Sequence, residues 1–124
     1  MEKVTGIGGV FFRAKDPEML STWYKENLGV SPVPQNFDQL PWMQEAGPTV
    51  YAPFEQETEY FGNAGKSWMI NFRVKDLPAM VAQLEKAGIE VTLNTDESPI
   101  GKFARLSDPE GNPIELWQPS STMA

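Results

Sequence analysis

Neither cysteine nor histidine occurs anywhere in this chain. The absence of cysteine excludes disulfide bonds, thiolate chemistry and zinc-finger sites. The absence of histidine removes the side chain that most often serves as a general base and as a transition-metal ligand. Together the two absences remove the commonest routes to metal binding and to proton transfer.

Positive charge is also scarce. Lysine and arginine total 10 against 17 aspartate and glutamate, which gives a net charge of -7. That balance argues against a nucleic-acid backbone or an anionic membrane as a partner, and it favours a neutral or cationic small molecule. Residues 1–9 lack the apolar core of a signal peptide, and no run approaches the ~18 apolar residues of a membrane span. We therefore expect a soluble, cytoplasmic protein.

What the chain does contain is an apolar core and a repeated segment. Its 124 residues, 40% of them hydrophobic, suit a single domain covering residues 1–124. Phe12-Arg13-Ala14-Lys15-Asp16 recurs as Phe72-Arg73-Val74-Lys75-Asp76. Each copy ends an apolar run and leads into an amphipathic stretch that closes at a glycine. The pattern predicts a duplicated strand-into-helix unit.

The first copy predicts a strand over Val4–Lys15 followed by a helix. Asp16 is the expected N-cap and Pro17 occupies the first helical position, where its missing N–H costs nothing. The helix should end at Gly29. From Val30 to Phe54, short extended pieces broken by prolines indicate two or three irregular strands. The helical stripe consists of Met19, Leu20, Trp23, Tyr24 and Leu28.

The second copy repeats this plan after an acidic loop over Glu55–Lys66. A strand is predicted over Ser67–Lys75, a helix from the N-cap Asp76 to Gly88, and a strand over Ile89–Leu93. A hairpin should follow, with strands over Lys102–Ser107 and Pro113–Gln118 around the turn Asp108-Pro109-Glu110-Gly111-Asn112.

These elements indicate an α+β fold. Each half contains a strand, a helix and further strands, and each helix needs a sheet face against which to bury its stripe. We expect two βαβββ modules, about residues 4–54 and 67–119, that form a curved mixed sheet with the helices on its outer face. The opposite sheet faces would line a groove.

Two segments also resemble a known group of proteins. GIGGVFFRAKDPEMLSTWYKENLGV and FARLSDPEGNPIELWQP are similar to sequences of the vicinal oxygen chelate superfamily, which contains glyoxalases, bleomycin-resistance proteins and extradiol dioxygenases. The resemblance implies paired βαβββ modules and a homodimer. Whether the modules pair within one chain or swap across the dimer stays open.

The resemblance also implies metal ligands at four places in metal-dependent members. Counting back seven residues from Asp16 and from Asp76 reaches Gly9 and Met69, and neither suits a hard or borderline divalent ion. Another place, around Val50 and Tyr51, carries no carboxylate, histidine or glutamine. Only Glu115 is present, and one carboxylate does not hold a catalytic ion without strong partners. We therefore expect no cofactor, with a divalent metal at Glu115 as the alternative.

Strand alternation then selects the side chains that share the groove. The predicted hairpin register sets Ile114 and Leu116 on the core face with Leu106 and Ala104. It places Arg105 opposite Glu115, and Phe103 opposite Trp117. Tyr51 and Trp42 are candidates for the wall. The expected groove residues are Phe11, Arg13, Met69, Asn71, Arg73, Phe103, Arg105, Glu115 and Trp117.

Several readings of these residues remain open. Glu115 could pair with Arg105 or Arg73, contact a ligand, or take part in metal binding or proton transfer. Arg13 and Arg73 could lie at the sheet rim, and Phe103 and Trp117 could pack in the core. The first functional hypothesis is a metal-free small-molecule-binding protein. The alternatives are a glyoxalase-like lyase, isomerase or dioxygenase that uses Glu115, and a structural dimer with a vestigial groove.

Overall fold

The computed structural model describes residues 1–62, 65–96 and 98–122. Helices and strands follow one another along the chain in an order that is typical of an α+β domain. They are α1 (Pro17–Leu28), β1 (Ile70–Arg73), α2 (Leu77–Lys86), β2 (Thr92–Leu93), β3 (Gly101–Ser107) and β4 (Pro113–Pro119). Among the described residues, neither helix has the length and hydrophobicity that crossing a bilayer requires.

Both helices begin as the repeated motif predicts. The Asp16 carboxylate accepts a hydrogen bond from the Met19 backbone N–H at 3.1 Å, and Asp76 accepts one from Ala79 at 3.0 Å. These bonds satisfy N–H groups that have no partner inside the helix. Helix α1 ends at Gly29, whose φ of 73° lies in the left-handed region that glycine adopts without steric cost. The predicted N-caps are thus confirmed at both helices, and the C-cap of α2 is Ala87, one residue before the predicted Gly88.

Four strands form one mixed sheet in the order β1-β4-β3-β2. Strand β1 runs parallel to β4, and the other neighbouring pairs are antiparallel. The hairpin register agrees with the prediction, with Leu106 opposite Ile114, Arg105 opposite Glu115 and Phe103 opposite Trp117. Alternating side chains therefore point to opposite faces as expected.

The strands predicted for the first half are absent. The structure assigns no strand anywhere in residues 1–62, so the expected strands over Val4–Lys15 and within Val30–Phe54 were wrong as drawn. A strand exists only through hydrogen bonds to a neighbour, and the prolines of the second segment cannot donate them. The predicted strands over Ser67–Lys75 and Ile89–Leu93 are present but shorter, as β1 and β2.

The core lies between the two helices and one face of the sheet, which confirms the expected layer arrangement. Side chains of α1 and α2 pack there against the apolar residues of β3 and β4. Its buried members are Leu20, Tyr24, Leu77, Val81, Leu84, Ala104, Leu106, Ile114 and Leu116. Large apolar side chains of the first half, such as Phe11 and Phe37, stay outside this core and are exposed.

Helix α1 is fastened to this core through the turn between β3 and β4. The Tyr24 hydroxyl donates to the buried Asp108 carboxylate at 2.7 Å. The Glu110 carboxylate accepts hydrogen bonds from the backbone N–H groups of Lys15 (2.7 Å) and Asp16 (3.0 Å), just before the helix begins. A turn in the second half therefore positions the helix of the first.

Removing the Tyr24 hydroxyl should destabilise the fold. Tyr24→Phe leaves the buried Asp108 carboxylate with one donor fewer, which typically costs about 1–2 kcal/mol. Urea unfolding at neutral pH measures this loss. Tyr51→Phe is the matched control, because Tyr51 is 86% exposed. Equal unfolding midpoints for the two variants would contradict a stabilising role for the bond.

Candidate functional site

The Glu115 carboxylate is the centre of a polar cluster on the sheet face opposite the core. Glu115 lies on β4 and is only 7% exposed. Its Oε1 accepts a hydrogen bond from Asn71 Nδ2 at 2.7 Å, and its Oε2 accepts one from the Tyr60 hydroxyl. Asn71 reaches it because β1 pairs in parallel with β4, which sets Asn71 beside Glu115. Both carboxylate oxygens are therefore held by neutral donors.

Arg105 does not pair with Glu115, although the two residues lie opposite each other on β3 and β4. Its guanidinium carbon lies 4.4 Å from the centre of the Tyr60 ring, in a cation–π contact. Within the described part of the chain, Glu115 forms no ion pair with any arginine. In place of the ion pair considered for Glu115, the carboxylate accepts two hydrogen bonds from neutral donors.

Tyr60 is the cluster member that the sequence did not single out. It falls in the segment predicted as an acidic loop, and it enters the site from outside every helix and strand. Its ring stacks on Phe54 with centroids 5.7 Å apart, and Phe61 packs on the same Phe54 ring at 5.1 Å. Two adjacent aromatic residues within a polar, acidic loop were the available signal, because such rings usually pack against apolar surface.

The surroundings of Tyr60 keep its hydroxyl protonated. Burial, the hydrogen bond to Glu115 and the negative charge of Glu115 raise the pKa of Tyr60 to about 12, while the Arg105 charge acts in the opposite direction. At neutral pH the hydroxyl is therefore a hydrogen-bond donor to Glu115. A phenolate beside this carboxylate would be repelled by it.

Phe103 and Trp117 form a parallel aromatic pair on the same face. Their rings are 6.1 Å apart and tilted by only 3°. Trp117 is buried, and its indole N–H donates to the Ile100 carbonyl at 2.9 Å. Phe103 is only half-buried. Of the two rings, Phe103 is therefore the one that a bound molecule can contact.

Arg73 holds a segment of the first half instead of facing an open groove. Its guanidinium donates to the carbonyl oxygens of Glu45 (2.7 Å) and Pro48, and to the Thr49 hydroxyl at 3.3 Å. Gly47 lies against the same side chain, where an added Cβ would come within 3.0 Å of the guanidinium. These contacts occupy Arg73 within the protein.

The remaining predicted groove residues lie apart from the cluster. Phe11 and Tyr51 are 95% and 86% exposed, and Arg13 is exposed too. Met69 is half-buried just before β1. Among the described residues, none of these four makes a hydrogen bond or ring contact with Glu115 or its partners.

Trp42, a candidate for the groove wall, contacts a different face of the sheet. Its ring meets Phe72 edge-on at 6.2 Å, and Phe72 packs against the core cluster. The structure thus brings Asn71, Arg105 and Glu115 together with Tyr60. It sets Phe103 and Trp117 next to them through the β3–β4 register.

A broad surface depression of about 590 Å³ borders the cluster. Its lining includes Arg105 and Phe61, and it continues past Trp23, Glu90 and Thr92. Neither Glu115 nor Phe103 belongs to that lining. The depression therefore reaches the cluster at Arg105 and leaves the Glu115 carboxylate covered.

Comparison with known proteins assigns the family. A model described as the glyoxalase-like domain matches residues 9–117. The chain belongs to this glyoxalase-like family, which confirms the resemblance to the vicinal oxygen chelate superfamily. No match was found among curated proteins.

Solved structures confirm the fold. TnmS3, an antibiotic binding protein from Streptomyces sp. CB03234, is 22% identical, with a TM-score of 0.60 over 97% of this chain and 100% of that one. A glyoxylase/bleomycin resistance protein/dioxygenase domain from Frankia sp. EAN1pec is 15% identical, with a TM-score of 0.58 over 94% and 99%. A glyoxalase/bleomycin resistance protein from the same Streptomyces is 36% identical, but the match spans 42% of this chain and 46% of that protein, with a TM-score of 0.37.

Glu115→Gln should make Tyr60 easier to ionise. The substitution removes the negative charge that opposes the phenolate, so the pKa of Tyr60 should fall from about 12 towards its ordinary value. At about pH 11 an ordinary tyrosine is mostly ionised, whereas Tyr60 in the native protein is mostly protonated. Tyrosinate absorbance at that pH should therefore increase in the variant.

Two controls accompany this measurement. Tyr60→Phe removes the signal, so adding Glu115→Gln to it should leave the tyrosinate absorbance unchanged. Circular dichroism at the same pH checks that the chain stays folded. The stability that the raised pKa of Tyr60 contributes is full below about pH 10 and is lost as the pH rises towards 12. Equal absorbance in the native protein and Glu115→Gln would show that Glu115 does not act on Tyr60.

Proposed function

We propose that this chain binds a flat small molecule, neutral or cationic, on the sheet face beside Glu115, and that it does so without a metal ion. The observation that carries the proposal is the juxtaposition of a covered, hydrogen-bonded carboxylate with the half-exposed Phe103 ring. Small-molecule sites commonly combine aromatic walls with a few polar groups that fix orientation.

The aromatic side chains around the cluster support this proposal. The Phe103 ring lies parallel to the buried Trp117 ring and is itself half-buried, so part of its surface is accessible to a ligand. Tyr60 and Phe54 stack on each other and stay partly exposed, at 40% and 47%. Ring contacts of this kind contribute about 0.5–1.5 kcal/mol each beyond the area that they bury.

Charge supports a neutral or cationic ligand. The chain carries a net charge of -7, and Glu115 is the carboxylate in the cluster. Arg105 is the positive group nearby, and its charge is directed at the Tyr60 ring. The description of TnmS3 as an antibiotic binding protein is consistent with a binding role for a chain of this fold.

The donor set around Glu115 does not fit a divalent ion. Gly9 and Met69, at two positions where the resemblance implies ligands, offer no hard donor. Among residues 1–62, 65–96 and 98–122, no group of three or more aspartate or glutamate side chains could hold a metal. Both Glu115 oxygens already accept hydrogen bonds from protein donors. A lyase or dioxygenase built on a metal at Glu115 is therefore the less favoured reading.

Binding of 1-naphthalenemethanol, a neutral flat probe, tests the proposal. Protein-observed NMR titration should give a Kd in about the millimolar range, which is typical of a ligand of this size. Phe103→Ala should weaken binding by between about twofold and tenfold, because a ring contact is lost. Phe37→Ala is the control, since that ring is fully exposed. Equal weakening in both variants, or no binding to the native protein, would contradict the proposal.

Titration with divalent ions tests the metal-free part. Calorimetry with Mn²⁺, Ni²⁺, Fe²⁺ and Zn²⁺ should show no stoichiometric binding, and Glu115→Gln should behave like the native protein. Glu90→Gln is a charge-matched control at an exposed position. Tight stoichiometric binding that disappears in Glu115→Gln but persists in Glu90→Gln would establish the enzyme alternative instead.

A further inference from the structure

Glu115 is a buried carboxylate that has donors but no cation. Transfer of a carboxylate out of water is costly unless hydrogen bonds and an opposite charge compensate for it. Asn71 and Tyr60 supply the hydrogen bonds. In the described residues no lysine or arginine forms an ion pair with Glu115. The carboxylate is therefore satisfied in hydrogen bonding but not in charge.

The two donors differ in how firmly they are held. Asn71 lies within β1, and the parallel register with β4 fixes it beside Glu115. Tyr60 comes from a loop and is 40% exposed. Its ring contacts two side chains, Phe54 and Arg105. Phe54 also belongs to the first half of the chain, and the long Arg105 side chain can change conformation together with the Tyr60 ring. Oε2 is thus the carboxylate oxygen whose donor can be exchanged.

We propose that Glu115 Oε2 is a subsite for the ammonium group of an aromatic amine, and that the Tyr60 hydroxyl occupies this place when no ligand is bound. This inference rests on the proposed function and names the ligand class for the same sheet face. An ammonium group replaces a neutral donor by a charged one and supplies the missing positive charge. The Tyr60 hydroxyl already donates to a charged acceptor, so what an ammonium adds is the Coulomb attraction between its charge and the carboxylate.

The aromatic part of such a ligand would lie towards Phe103. In the β3–β4 register, Phe103 lies opposite Trp117. Trp117 follows Glu115 by two residues on β4 and is its next neighbour on the same face, so Phe103 lies diagonally across from Glu115. Side chains at this diagonal spacing lie about 7–8 Å apart. A single ring carrying an aminomethyl group spans that separation, whereas a ligand with a carboxylate in the same position would be repelled by Glu115.

Arg105 sets a limit on this preference. Its guanidinium lies over the Tyr60 ring, close to the place that the ammonium would take. Like charges near each other reduce the gain from binding a cation. Replacing Arg105 by methionine, which keeps much of the apolar stem, should therefore strengthen the preference for an amine.

A matched pair of probes tests the inference. 1-Naphthylmethylamine and 1-naphthalenemethanol share one ring system and differ in the donor, and both are titrated by NMR at pH 7. The native protein should bind the amine about fivefold more tightly than the alcohol, because both donate to the same carboxylate but only the ammonium adds Coulomb attraction to it. Glu115→Gln should abolish that ratio. Glu90→Gln removes one negative charge from the neighbouring depression and should leave the fivefold ratio of affinities unchanged.

Tyr60→Phe gives an independent measurement. The variant keeps the ring on which Arg105 and Phe54 pack but frees Oε2, so amine affinity should increase about threefold or more. A purely structural role for the Tyr60 hydroxyl predicts unchanged or weaker binding. Thermal unfolding of each variant establishes that it is folded at the titration temperature.

The outcomes separate this inference from the proposed function. Phe103-dependent binding of the alcohol, with no preference for the amine, would overturn the amine subsite alone. A preference that survives Glu115→Gln, or that is lost equally in Glu90→Gln, would also overturn it. Failure of both probes to bind would overturn the proposed function and the inference together.

Discussion

The pairing of β3 with β4 is the constraint on which the rest of the structure depends. A slip of one residue would turn Ile114 and Leu116 away from the helices and bring Glu115 into the core. The turn between the strands prevents that slip. The Asp108 carboxylate accepts hydrogen bonds from the backbone N–H groups of Glu110 and Asn112 and from the Asn112 side chain. The same carboxylate also accepts a hydrogen bond from the Tyr24 hydroxyl. One buried group therefore sets the sheet register and holds α1.

The register explains why the Glu115 carboxylate is held by neutral donors. It places Arg105 opposite Glu115, but Asn71 of β1 lies on the other side of β4 and reaches the carboxylate directly. An ion pair formed at a covered position gains little over its desolvation cost unless its geometry is excellent. A cation–π contact leaves the Arg105 charge near solvent and stabilises the Tyr60 ring. Among the described residues, the carboxylate thereby has two neutral donors and no ion-pair partner.

Local rules predicted a large part of this structure from the sequence. Caps and alternation depend on neighbours a few residues away, so the caps at Asp16 and Asp76 and the facing of Phe103, Arg105 and Glu115 were predictable. Tyr60 and Glu115 are far apart in the sequence, and Tyr60 lies in a segment without helical or strand periodicity. No spacing rule therefore predicts the contact between them. The same holds for the contacts of Arg73 with residues 45–49, which depend on where an irregular segment crosses the sheet.

The two copies of the repeated motif show how far local rules extend. Asp16 and Asp76 occupy equivalent places and make the same capping bond, because a cap needs only the helix that follows it. Arg13 and Arg73 are also equivalent in sequence, yet Arg73 belongs to a strand and binds the backbone of another segment, whereas Arg13 is exposed. A strand needs a hydrogen-bonding neighbour, which β4 supplies to the second copy within this chain. Similar sequences therefore give the same N-cap in both copies, but only the second copy forms a strand. The candidate site is built around that second copy, because its strand joins the sheet.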